Sequence, residues 1–143
     1  MNSKILRVSE GVLLAAIYYW CATFGFSLAF LHESASAVWP PTGVALAALL
    51  FRGRSLWPGV FLGAFLGNFV VQPSITTSLA IAAGNTLEAV CGAALVARFA
   101  GGVCAIERTR NLFRFVLLAA MGSTVLSSTI GVTSLCLSGS LIC

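Results

Sequence analysis

The sequence predicts an all-α protein, a polytopic bundle of about five transmembrane helices. Of its 143 residues, 59% are hydrophobic and only 8% are charged, whereas a soluble domain carries about 25% charged residues to cover its surface. The apolar residues come in runs of roughly twenty, the length of helix that crosses the hydrocarbon core of a bilayer. Both observations place the chain in lipid, and we interpret residues 1–143 as one integral membrane domain.

Five apolar segments can be drawn, at about residues 11–31, 35–51, 56–71, 75–97 and 112–137. The first is too long for the apolar part of a signal peptide, and no A-x-A cleavage site follows it, so it is expected to remain as a helix. The third begins with Trp57 and Pro58, which suit a membrane interface and a first helical turn. The fifth carries small residues about four apart, which predicts packing inside the bundle: Ser123, Ser127, Gly131 and Ser134.

The second segment is interrupted by a proline motif, Trp39-Pro40-Pro41-Thr42-Gly43. Two successive prolines lack backbone donors and push the residues before them away from helical dihedral angles. A regular helix is therefore expected only from about Pro41 to Phe51, roughly 16 Å long, which is half a membrane. Its N-terminus, with free N–H groups, would lie near mid-depth. The alternative is a kink in a continuous helix.

All basic residues fall on one side of the predicted spans: Lys4, Arg7, Arg52, Arg54, Arg98, Arg108, Arg110 and Arg114. The loops on the other side hold only His32, Glu33 and residues 72–74. Because basic loops stay on the cytoplasmic side of a membrane, the N-terminus is expected in the cytoplasm. This bias accounts for the net charge of +4, so no nucleic-acid partner is predicted.

The third segment carries glycines at four-residue spacing, Gly59, Gly63 and Gly67. Small residues at this spacing let two helix backbones approach closely. We expect them to form a helix-packing surface within the chain, with a homodimer contact as the alternative.

No enzyme motif is present: the sequence has no GxSxG, HExxH or GxxxxGK[ST] pattern, so no catalytic residue, enzyme activity or cofactor is predicted. The cysteines show no CxxC or Cys/His spacing, so neither a metal site nor a disulfide framework is predicted. They are Cys21, Cys91, Cys104, Cys136 and Cys143.

Glu88 is the only ionisable residue well inside a predicted span. A carboxylate at the bilayer centre costs on the order of 3 kcal/mol even on a lenient scale, so this helix face is expected to point into protein. Asn85 lies on the same face. Counted from Arg98, Glu88 lies roughly 15 Å deep. Asn68 of the third segment reaches a similar level.

These counts predict a polar pocket near the middle of the bilayer, open to the outer side and lined by residues of three segments: Trp39, Pro40, Pro41, Thr42, Asn68, Asn85 and Glu88. Broken helices that aim their N-termini at a mid-membrane site bind small polar or anionic solutes. Two alternatives stay open. The polar side chains hold the bundle together by bonding one another, or they form a proton or ion path.

Three blocks of sequence resemble the first class of bacterial membrane-associated sensor domains, the MASE families. They read SAVWPPTGVALA at residues 36–47, LWPGVFLGAF at 56–65 and GNTLEA at 84–89. The resemblance covers roughly residues 10–137. The family's motif residues found here are Trp39, Pro40, Pro41, Thr42, Gly43, Asn85 and Glu88.

The resemblance implies a multi-pass sensory module of the bacterial inner membrane. In the family it has about eight helices and precedes a cytoplasmic histidine kinase, diguanylate cyclase or phosphodiesterase region, so such an output domain is the expected partner. This chain is expected to be truncated relative to that domain and to lack the output region. The function expected is therefore sensing of an unknown small signal. A transporter or channel component, or a structural membrane subunit, is the alternative.

Overall fold

The computed structural model of the protein describes residues 3–28, 39–103, 124–137 and the single residues 111, 113 and 117. Within them five α-helices have defined bounds: α1 (Ser3–Ser27), α2 (Pro40–Arg52), α3 (Trp57–Val71), α4 (Ile75–Phe99) and α5 (Thr124–Leu137). A single 3-10 turn, Arg54–Leu56, joins α2 to α3. The described residues contain no strand, and the predicted all-α class is confirmed.

Three helical stretches are long and apolar enough to cross a membrane, Lys4–Ser27, Arg54–Val71 and Ile75–Phe99. They contain the first, third and fourth predicted segments, apart from the end of the first. Residues 29–38, and much of 112–123, lie outside the described residues. The described part of α5 has 14 residues, so its length alone does not reach across a bilayer.

The helix predicted to start near Pro41 begins at Pro40, and Trp39 before it has non-helical dihedral angles (φ −120°, ψ 79°). Proline fits the first helical turn because no intrahelical N–H bond is needed there. With 13 residues, α2 is about 20 Å long at the rise of an α-helix. It is therefore a short helix beside three longer ones, as the two prolines predicted.

The helices α1, α2, α4 and α3 form a ring in which each packs against the next, and α5 packs against α4. Helices α1 and α2 run antiparallel. At one end Arg52 forms an ion pair with Glu10. At the other end the ring of Trp39 lies against Gly25. The chain therefore alternates in direction from helix to helix.

The glycines of α3 lie against α1. A Cβ atom placed on Gly63 would lie 2.7 Å from the carbonyl oxygen of Ala15 and 2.8 Å from the Cβ of Tyr18. Only a residue without a side chain fits at such a distance. The pairs along this contact are Gly59 with Gly11, Gly63 with Ala15, and Gly67 with Ala22. Residue numbers rise in the same direction along both helices in these pairs. Helices α1 and α3 are therefore parallel, and their backbones touch.

Candidate functional site

The polar face of α4 is buried, with Glu88 4% and Asn85 9% exposed. The face turns inward because no other arrangement keeps a carboxyl group away from lipid. Glu88 Oε1 accepts a hydrogen bond of 2.8 Å from the hydroxyl of Thr124. Asn85 Oδ1 accepts one of 2.9 Å from the hydroxyl of Ser127. Both donors lie on α5, so these two bonds join α4 to α5.

The order of these partners sets the geometry of the α4–α5 contact. Moving three residues forward on α4, from Asn85 to Glu88, moves three residues back on α5, from Ser127 to Thr124. The helices are therefore antiparallel. One turn before Glu88 on α4, a Cβ atom on Gly84 would lie 3.2 Å from Ile130 of α5. The absence of a side chain at Gly84 therefore helps α5 to lie close to α4.

Tyr18 of α1 reaches the same place from across the ring. It is 1% exposed, its hydroxyl lies near the polar atoms of Trp39 and Asn85, and the carboxyl group of Glu88 is close enough to interact with it electrostatically. It nevertheless makes no hydrogen bond of normal geometry with any described residue. The amide nitrogen of Asn85, Nδ2, is likewise buried and without a described partner. Two buried polar atoms are thus left unsatisfied side by side, which is costly in a protein interior.

Trp39 adds the start of α2 to this group. Its ring packs edge-on against Phe26 with centroids 4.8 Å apart, while its polar side is near the Tyr18 hydroxyl. Of the neighbouring motif residues, Pro41 is buried, and Pro40 and Thr42 are half-buried. The structure therefore brings Tyr18, Trp39, Asn85 and Glu88 together. We call these four residues the polar cluster.

Asn68 has a different environment from the polar cluster. It is buried, but its amide donates a hydrogen bond of 2.8 Å to the carbonyl of Ala64 one turn earlier in α3. No described hydrogen bond joins it to Asn85 or Glu88. Such a bond satisfies the side chain within its own helix.

The cations of the described segments lie away from the polar cluster, close to helix ends: Lys4, Arg7, Arg52, Arg54 and Arg98. The nearest of them along α4, Arg98, is ten residues from Glu88, about 15 Å along the helix axis. Among the described residues no salt bridge reaches Glu88. The described partner of its carboxyl group is therefore the hydroxyl of Thr124 and not a cation.

The cysteines require one correction. The sequence predicted no disulfide, but Cys136 is disulfide-bonded, with a partner outside the described residues. Cys21 and Cys91 are free. Spacing failed as a guide because it reveals pairing only in recurrent motifs, whereas the fold decides which sulfurs meet. In the described segments no three His, Cys, Asp or Glu side chains lie close enough together to hold a metal ion.

Tyr18, Thr124 and Ser127 were missing from the predicted site. For Tyr18 a signal was available: it lies eleven residues after Arg7, about 16 Å along a helix, the depth counted for Glu88. Thr124 and Ser127 gave no such signal, because hydroxyls are common in apolar helices and usually bond their own backbone. Thr129 and Ser134 of α5 do so.

The comparisons with known proteins give one match. The sequence model of a protein family, MASE1 or membrane-associated sensor domain 1, matches residues 11–141. Neither the curated proteins nor the solved structures contain a match to the chain.

Proposed function

We propose that this chain, which belongs to the MASE1 family of membrane sensory domains in signalling proteins, binds a small signal at the polar cluster. Binding would change how α5 packs on α4. The observation that carries this proposal is the meeting of Tyr18, Trp39, Asn85 and Glu88 from three helices at one buried place. Polar groups gathered within a membrane bundle are costly, and they commonly mark a functional site.

The contact between α4 and α5 supports a switching role. It contains two hydrogen bonds between side chains, Thr124 to Glu88 and Ser127 to Asn85. A ligand that bonds Asn85 or lies against Glu88 can alter these two bonds, since interhelical hydrogen bonds in membranes contribute only about 0.6 kcal/mol on average. A ligand shifts a packing equilibrium only through different affinities for the two packings. Groups that bond both the ligand and α5 supply that difference.

The other side of the ring is suited to stay fixed. Helices α1 and α3 touch through backbone atoms along the glycines of α3, and close-packed interfaces do not deform continuously. Tyr18 and Trp39 are held on this side, because Tyr18 belongs to α1 and Trp39 packs on Phe26 of α1. The ligand would then lie between a fixed wall and a helix that can move.

We propose the inner membrane of a bacterium as the location, with the N-terminus in the cytoplasm. The described basic residues support this orientation, since Arg7 donates a hydrogen bond to Ser55 and Arg52 pairs with Glu10 at one end of the bundle. Cys136 lies near the C-terminus of α5, at the opposite end. Its disulfide suits the oxidising space outside the cytoplasm.

The output is expected to lie in a cytoplasmic histidine kinase or diguanylate cyclase domain, on a longer chain or a partner chain. We propose that this chain has no catalytic activity of its own. A transporter component is the competing function, because buried carboxyl groups and short helices also occur in transporters.

The test is a chimera in which residues 1–143 replace the matching spans of a MASE1 protein that has a diguanylate cyclase output. Its cyclic dinucleotide level is compared between growth conditions that switch the parent protein. Glu88→Gln and Asn85→Ala should each remove most of the switching while the protein still inserts. Thr86→Ala is the matched control, because Thr86 is buried beside Asn85 but bonds the carbonyl of Ala82 in its own helix.

Two results would contradict the proposal. One is unchanged switching in both site variants at normal expression. The other is saturable solute uptake by the reconstituted chain that depends on Glu88, which would favour the transporter function instead.

A further inference from the structure

The unsatisfied atoms of the polar cluster share one chemical property. Asn85 has used its acceptor, since Oδ1 bonds Ser127, and its free Nδ2 can only donate. The Tyr18 hydroxyl has a proton to donate and no described acceptor. The polar atom of Trp39 beside it is an indole nitrogen, also only a donor. Apart from Glu88, whose carboxyl group accepts from Thr124, and the Tyr18 hydroxyl, which can also accept, the polar atoms left in the cluster only donate, so donors outnumber acceptors among them.

The charge around the cluster limits what can satisfy these donors. An anion would be buried next to the carboxyl group of Glu88, with no described Lys or Arg near enough to pair with it, and a buried unpaired charge is costly. A cation would suit Glu88 but leave the donors of Tyr18 and Asn85 unpaired, which is unfavourable in a buried site. An uncharged acceptor satisfies both conditions.

A carbonyl oxygen fits the two free donors best. It has two lone pairs and can accept from the Tyr18 hydroxyl and the Asn85 amide together. The surroundings on the α1 and α2 side are aromatic, with Phe26 and Trp39 in edge-to-face contact. Such walls suit an apolar ring or chain attached to the carbonyl group.

We infer that the polar cluster binds an uncharged small molecule through a carbonyl-type oxygen, which accepts hydrogen bonds from Tyr18 and Asn85. This inference rests on the proposed function and specifies the class of its signal. Because the site is enclosed by helices of a membrane protein, the apolar part of the molecule also lets it enter from the bilayer. Glu88 then serves to hold α5 through its bond with Thr124.

The experiment compares four compounds built on the same six-membered carbon ring: cyclohexanone, cyclohexane, cyclohexanecarboxylate and cyclohexylammonium. The chain of residues 1–143 is placed in lipid nanodiscs. Two of its three tryptophans are replaced, by Trp20→Phe and Trp57→Phe, so that Trp39 alone remains. A shift of its emission reports occupation of the site. Cyclohexanone should give a saturable shift. The other three, at the same concentration in the bilayer, should give a tenth of it or less.

Tyr18→Phe should weaken cyclohexanone binding about fivefold, the usual effect of one neutral hydrogen bond. Tyr19→Phe is the matched control, because the neighbouring tyrosine packs on Trp20, away from the cluster, and it should leave the affinity unchanged. The inference is overturned if cyclohexanone gives no saturable shift. It is also overturned if a charged compound binds as tightly, or if both tyrosine variants lose the same affinity.

The two proposals can fail separately. If these outcomes overturn the ligand class while Glu88→Gln still removes switching in the chimera, only the carbonyl assignment is wrong. If switching survives Glu88→Gln and Asn85→Ala, the cluster is not the sensory site, and a bound ketone would then be a ligand without a signalling role.

Discussion

The α1–α3 and α4–α5 interfaces are both close contacts between helices, but they are built from different atoms. Between α1 and α3, glycines meet the backbone of the facing helix, so that a Cβ on Gly59 would lie 2.5 Å from the oxygen of Gly11. Between α4 and α5, side chains meet through the bonds of Glu88 to Thr124 and Asn85 to Ser127. One contact depends on the absence of side chains and the other on their polar atoms.

This difference indicates where the bundle can change. A backbone contact depends on shape, and small shifts produce clashes or lost dispersion contacts. A hydrogen-bonded contact can exchange one partner for another of similar chemistry, including a ligand. A membrane protein that has both can hold one pair of helices fixed while another pair responds to a signal.

The largest effect is expected at the backbone contact. Gly63→Ala places a methyl group 2.7 Å from the Ala15 oxygen, and overpacking of this kind costs about 1–3 kcal/mol. Gly131→Ala is the control, because nothing lies within 4 Å of a Cβ there. Unfolding of both variants in mild detergent should show a loss for Gly63→Ala alone. Equal stability of the two would mean that α1 and α3 do not touch as described.

A smaller effect is expected at the polar contact. A double-mutant cycle of Glu88→Gln and Thr124→Val should give a coupling free energy of about 0.6 kcal/mol, and at most about 1.7, as for other interhelical bonds in membranes. A second cycle of Glu88→Gln with Thr129→Val should give no coupling, because Thr129 bonds the carbonyl of Val125 in its own helix. Coupling as large with Thr129→Val would show that the cycle reports general loosening of α5.

The smallest effect is expected for the ion pair between Glu10 and Arg52, in which Arg52 is largely exposed. Exposed pairs contribute about 0–1 kcal/mol and weaken as salt rises. Glu10→Gln should therefore lower stability by less than half of the Gly63→Ala loss, and the change should diminish in high salt. A large loss that does not depend on salt would contradict this ranking, because it would mean that the pair of Glu10 and Arg52 is buried and stabilises the bundle as strongly as the backbone contact does.

The sequence predicted those features that local rules decide. The start of α2 follows from Pro40 and Pro41, because proline restricts its neighbours wherever it stands. The inward face of α4 follows from the cost of placing Glu88 in lipid. Tyr18, Thr124 and Ser127 depend instead on which helices are neighbours in the ring, and residue spacing within one helix does not determine that.

The site and its proposed response both depend on contact between α5 and the buried polar face of α4 at Glu88. This contact can be measured by cross-linking Glu88→Cys to Thr124→Cys in native membranes with a short bifunctional thiol reagent, after the five native cysteines are replaced by alanine. The control pair is Leu87→Cys with Thr124→Cys, since Leu87 is 45% exposed and points away from the cluster. We expect rapid cross-linking of 88 to 124 and little of 87 to 124. Equal rates for both pairs, or faster reaction at 87, would contradict the claim.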